Sequence, residues 1–175
     1  MFLLLVAAAG CMTVGSTPDG SDFWVKGKVG IRDGTESYSA RFSWRQNGAR
    51  YEIGLWGPLG QGRTNLKGDA EYLEILDGEG DLILAGHPET VMNEHLHWSL
   101  PLDALPFWMQ GRPSPGAEVE DRIRDEAGRV TGFKQLGWEV SYDRYRDYGN
   151  GSLPSRITAR KPGYRVRLVV SDRQI

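Results

Sequence analysis

The only thiol in the chain, Cys11, closes the run Phe2-Leu3-Leu4-Leu5-Val6-Ala7-Ala8-Ala9-Gly10, and no charged residue precedes Asp19. An apolar run of this kind has the size of a signal-peptide core, roughly 7–15 residues. It falls short of the roughly 20 apolar residues that cross a bilayer. Small residues followed by one cysteine are the setting for cleavage before that cysteine and acylation of it. Residues 1–10 are therefore expected to be a signal peptide and Cys11 the lipidation site. Such leaders open on positive charge; here Met1 leads straight into Phe2, so the leader is expected to be incomplete. Ala8 stands where leucine is usual, whereas Ala9 and Gly10 fit. Met12, rather than aspartate, follows the cysteine.

Other reactive-looking groups lead nowhere as firm. Gly57-Pro58-Leu59-Gly60-Gln61-Gly62-Arg63-Thr64 has phosphate-loop spacing, with Arg63 in the place of lysine. A phosphate loop must run from a strand into a helix, and Asn65-Leu66-Lys67-Gly68 instead reads as a short strand and a turn. His95 and His97 are two apart, so on a helix they point apart, and no metal site is expected. Glu118, Glu120, Asp121, Asp125 and Glu126 alternate with Arg122, Arg124 and Arg129, a pattern for cross-strand pairing. No nucleophile elbow occurs. The chain is expected to be no enzyme and to need no cofactor. Its formal net charge is −2 with acids and bases interspersed, so no nucleic-acid partner is expected either.

The elements that would position anything in this chain are strands. Tyr38, Ala40, Phe42 and Trp44 alternate with Ser37, Ser39, Arg41, Ser43 and Arg45. Val25, Gly27, Val29 and Ile31, then Tyr51, Ile53 and Leu55, repeat the pattern. Side chains alternate across a strand, so each run has one apolar and one wet face. Turn pairs such as Asp33-Gly34, Asn47-Gly48 and Asp77-Gly78 cut the runs into hairpins. Later strands are expected at 118–126, 129–136, 137–146, 155–161 and 164–171. Two segments break the period. Pro88, Val91, Met92, His95 and Leu96 fall at helical spacing within 87–98, and Leu102 to Met109 form a short apolar helix within 102–110. The result is an antiparallel meander of about eleven strands with a short helical lid inserted after the sixth strand. Residues 11–21 read as the lipid anchor and a flexible tether, and 22–175 as one domain.

Six tryptophans are the surplus of this composition. They could fill a core or surround a ligand cavity under a detachable helical cover. Leu59 is a bare apolar side chain at a loop tip.

An ordered set of motifs then resembles the LolA/LolB-like lipoprotein localisation family, in particular its outer-membrane lipoprotein receptors of the LolB type. The set runs from the lipobox through Trp24 to Gly30, Ala40-Arg41-Phe42-Ser43-Trp44-Arg45-Gln46 and Gly57-Pro58-Leu59-Gly60. It continues with Leu100-Pro101-Leu102, Leu105, Trp108, Gly111 and Pro113, then Gln135-Leu136-Gly137-Trp138-Glu139-Val140-Ser141-Tyr142. The chain departs from the pattern at His97-Trp98 and in Ser171 to Ile175, which lacks a tryptophan. The resemblance implies a half-open antiparallel β-barrel with an apolar interior. It implies a monomer, lipid-anchored in the outer membrane and facing the periplasm. In the lipoprotein leaders that residues 1–11 resemble, aspartate after the cysteine favours retention in the inner membrane, so with Met12 there the resemblance implies the outer membrane. Such a receptor accepts acylated lipoproteins from the periplasmic carrier LolA and inserts them into the outer membrane. It makes Leu59 the delivery loop. Candidate lining residues are Tyr38, Phe42, Trp44, Ile53 and Leu55 on the sheet, with Met92, Leu96, Leu105 and Trp108 on the lid. The alternative is a lipid-anchored, lipocalin-like protein for a small apolar ligand. A third reading is a structural envelope protein with a filled core.

Overall fold

The computed structural model describes residues 22–34, 36–95, 100–149 and 151–174. Cys11, the leader, the tether and Leu96 lie outside the described residues. The strands are β1 (Phe23–Asp33), β2 (Glu36–Asn47), β3 (Arg50–Trp56), β4 (Thr64–Gly68), β5 (Leu73–Leu76) and β6 (Leu82–Gly86). Two helices follow, α1 (Pro88–His95) and α2 (Leu105–Met109). The chain then returns to strand as β7 (Glu120–Arg124), β8 (Val130–Gln135), β9 (Trp138–Asp147), β10 (Ser152–Lys161) and β11 (Tyr164–Gln174).

All eleven strands lie in one antiparallel sheet, ordered β6-β5-β4-β3-β2-β1-β11-β10-β9-β8-β7. The sheet is unclosed, because its edges β6 and β7 do not pair with each other. This is the expected half-open barrel, with the helical insertion after the sixth strand. The alternation read from the sequence fixes which face is inside. On β1, Val25, Val29 and Ile31 are buried while Lys26, Lys28 and Arg32 are exposed. On β2, Phe42 and Trp44 are buried and Arg41 and Arg45 exposed.

The pairing that joins the two ends of the meander is β1 with β11, from Trp24 opposite Gln174 to Asp33 opposite Tyr164. A bulge between Lys26 and Gly27 lets the strands approach closely. A Cβ on Gly27 would lie 2.1 Å from the Val169 carbonyl oxygen and 3.0 Å from the Phe42 ring. Only glycine fits there.

The segment expected to be helical over 102–110 is shorter, Leu105–Met109, because Pro101 to Ala104 form a turn. The Pro101 carbonyl accepts from the backbone N–H of both Ala104 and Leu105. Pro106 at the first helical turn lacks the N–H that would go unbonded there. The strand expected over 118–126 is the shorter edge β7. Its five residues are all exposed, and its charged side chains suit a sheet edge.

Candidate functional site

The barrel interior is divided. On the β8–β10 side it is filled by rings. Trp108 of α2 is 0% exposed and lies 6.3 Å from the Phe133 ring and 6.5 Å from the Trp138 ring. Its indole Nε1 donates to Gln135 Oε1 at 3.0 Å. Tyr142 donates its hydroxyl proton to the Trp108 carbonyl at 2.9 Å. Gln135 also accepts from the Ser114 N–H and donates to the carbonyls of Ser114 and Ala117. One amide thus pins the lid helix and the chain after it to β8. Arg173 of β11 holds the end of α2 by donating Nη2 to the carbonyls of Met109 (3.1 Å) and Pro154 (2.9 Å). Burial holds its guanidinium below its ordinary pKa.

On the β1–β4 side there is space. A cavity of about 290 Å³ lies between the sheet and the start of the lid. Phe42 and Trp44 of β2, Ile53 and Leu55 of β3, Val29 and Ile31 of β1, Leu66 of β4 and Leu168 of β11 form its wall. Leu100, Leu102 and Leu105 cover it, and Tyr38, Ser39 and Ala40 stand at its rim. The wall carries no charge. The Trp44 indole, its one buried donor, is satisfied sideways by Gln46 Oε1 at 2.8 Å, and Gln46 Nε2 donates on to the Gly48 carbonyl at 2.8 Å. Tyr38 is 56% exposed, and its hydroxyl donates to Glu36, a contact that raises its pKa. A polar group buried without a partner costs free energy, so this space suits hydrocarbon.

The loop joining β3 to β4 leaves the sheet at the rim end, where Leu55 pairs with Thr64. Gln61 organises it. The Gly57 N–H donates to the Gln61 carbonyl at 2.8 Å, and the Leu59 N–H to Gln61 Oε1 at 3.0 Å. The result presents Leu59 outward, 92% exposed. The chain continues from this loop into strand β4.

Of the side chains singled out in the sequence, Tyr38, Phe42, Trp44, Ile53, Leu55 and Leu105 meet around the one cavity. Trp108 does not reach it: it plugs the filled half. Met92 is buried on α1 and borders a separate space of about 350 Å³, shared with Leu136 and Trp138. Val29, Ile31, Leu66, Leu100, Leu102 and Leu168 line it as well, beyond the lining candidates read from the sequence. The first two carry the same two-residue alternation as Phe42 and Trp44, and that signal was sufficient to find them. The pairing that brings Leu168 beside Val29 spans nearly the whole chain and has no local signal.

The profile of the family described as outer membrane lipoprotein LolB matches residues 21–172. The chain belongs to this family. It is 34% identical over 192 residues to the outer-membrane lipoprotein LolB of Chromohalobacter salexigens, covering 99% of this chain and 88% of that protein. It is 36% identical over 156 residues to that of Pseudomonas aeruginosa, covering 87% of this chain and 75% of that protein. A solved structure described as a putative outer membrane lipoprotein-sorting protein domain from Vibrio parahaemolyticus is 7% identical with a TM-score of 0.47, covering 88% of this chain and 85% of that one. Membership of the LolB family makes this an outer-membrane lipoprotein, lipid-anchored and facing the periplasm. Its role is in lipoprotein localisation, and the family is one of localisation factors, not of enzymes.

Proposed function

We propose that the apolar cavity receives acyl chains of lipoproteins handed over by the periplasmic carrier LolA, and that the Leu59 loop passes them to the outer membrane. The observation that carries this reading is the juxtaposition of an uncharged hydrocarbon-lined space with a bare leucine at its rim end. The physical problem is moving lipid through water. Each methylene buried in lipid is worth about 0.8 kcal/mol, so free escape of an acylated protein is held back by many such terms. A pocket of matching chemistry removes most of that barrier. Transfer then follows a gradient of affinity from carrier to cavity to bilayer and needs no nucleotide. Cys11 serves as the acylated anchor, and the protein acts as a monomer.

The cavity of about 290 Å³ sits at the small end of ligand sites, roughly 300–1,000 Å³. Several acyl chains at once require the cover formed by Leu100, Leu102 and Leu105 to move outward. The small volume also favours the second reading, one small apolar ligand in a lipid-anchored binding protein. Material co-purifying with the Cys11→Ser chain separates them: acylated protein supports the receptor, and a free fatty acid supports the second reading. For the loop, Leu59→Glu should fold and load cargo normally and fail to release it into membranes. Full delivery by that variant would refute the role given to Leu59.

A further inference from the structure

The outward face of the sheet carries charge in an order that only the register reveals. Directly opposed residues in antiparallel strands share a face and touch. Across β2, β1, β11 and β10 one row reads Arg41, Lys28, Val169, Arg156. Four residues further along β1 a second row reads Ser37, Arg32, Arg165, Arg160. Arg167 stands between the rows, opposite Gly30 and Thr158. These seven cations share a field about 14 Å on a side, at about 4.8 Å between strands and 3.3 Å per residue.

Lys28 faces Arg41, Arg32 faces Arg165, and Arg165 faces Arg160. Like charges placed directly opposite destabilise a sheet. Among the described residues only Arg167 of the seven makes an ion pair, with Asp143 at 3.7 Å. The acids nearest in register are Asp143 and Glu139 on β9 and Asp172 on β11, all at the margin of the field, and Asp172 is already paired with Lys26 at 3.1 Å. The chain as a whole carries a net charge of −2, so the field is not a by-product of basic composition.

The field borders the Leu59 loop. Arg41 lies opposite Trp56, the last residue of β3, and the Arg63 guanidinium sits 5.9 Å from the Trp56 ring. A cationic surface edged by a tryptophan and an exposed leucine has the composition of a surface that lies on a bilayer. We propose that this face docks on the phosphate headgroups of an anionic phospholipid surface, holding the Leu59 end of the barrel against it. Arginine suits phosphate because its planar fork donates two parallel hydrogen bonds. The proposal rests on the reading of Leu59 as a membrane-facing tip but has its own test.

The full chain carrying Cys11→Ser, which removes the acyl anchor, is titrated with phosphatidylcholine vesicles and with vesicles containing phosphatidylglycerol, at low and high salt. Binding should be tighter to the anionic vesicles, and the difference should fade with salt. Adding Lys28→Gln and Arg41→Gln should weaken anionic binding about twenty-five-fold, at about fivefold per cation removed. The same pair should leave Tm unchanged or raised, because it removes a repulsion. Equal binding to both vesicle types overturns the proposal, as does an unchanged anionic affinity in the double variant. So does a double variant that keeps its vesicle affinity and loses binding to LolA, which would make the face a protein-docking surface. Delivery by Leu59→Glu is scored separately, and its failure to change would sink the release reading while leaving the salt-dependent adsorption standing.

Discussion

Gln135→Leu tests what holds the lid. The substitution keeps the volume of the side chain and removes all four of its hydrogen bonds: one with the Trp108 indole, two with Ser114 and one with Ala117. The indole N–H belongs to a residue with no exposure, so water cannot replace the lost acceptor. A buried donor left unpaired costs about 1–3 kcal/mol. The three bonds to backbone groups of half-exposed residues can be replaced partly by water, so each counts for less than the usual 0.5–1.5 kcal/mol. The expected total is about 3 kcal/mol, a large share of the roughly 5–15 kcal/mol that holds a domain folded. Urea unfolding should show a lower midpoint with an unchanged slope. Hydrogen exchange should accelerate over 105–117, the stretch this amide pins. Trp108→Phe supplies the control, because it deletes the donor itself. In the Gln135→Leu background that change should cost about 1–2 kcal/mol less than in the native chain. A loss below about 1 kcal/mol for Gln135→Leu, or additivity of the two changes within about 0.5 kcal/mol, would refute the role assigned to this amide.

Gly27→Ala should destabilise by about 1–3 kcal/mol or more, since its Cβ would sit 2.1 Å from a carbonyl oxygen; thermal unfolding reads this directly. Leu136 adopts φ 53° in the turn between β8 and β9 while 53% exposed. Leu136→Asn should therefore raise stability by up to about 1 kcal/mol, because asparagine tolerates that conformation better; an unchanged or lower Tm contradicts it. Burial pushes the Tyr51 hydroxyl well above its ordinary pKa, with Asp103 and then Asp69 adding to the shift, and among the described residues the hydroxyl has no hydrogen-bond partner. A folded pKa above the unfolded value gives stability that is complete below about pH 10 and is lost as pH rises through the folded pKa. Tyr51→Phe should match or exceed the native stability at neutral pH and lose less above pH 10. Equal alkaline losses in the two proteins would rule this out.

The sequence alone determined the strands, their two faces and the place of the helical insertion. The reason is local: alternation with period two assigns Phe42 and Trp44 to one side and Arg41 and Arg45 to the other without reference to any distant residue. Gly-containing turns closed the hairpins on the same terms. The tertiary structure decided which interior positions are filled and which are open. Trp108 and Leu105 are three apart on one short helix, yet Trp108 packs among the rings of β8 and β9 while Leu105 covers the cavity. That division depends on where α2 is seated, and α2 is seated by Gln135 and Arg173, 27 and 64 residues away from their respective partners on it. The pairing of β1 with β11 likewise joined Val29 to Leu168 across the cavity wall and assembled the cations of four strands into one field. Hydrogen bonds and side-chain contacts between residues so far apart leave no periodic trace in the chain, because they are selected by packing after the strands exist.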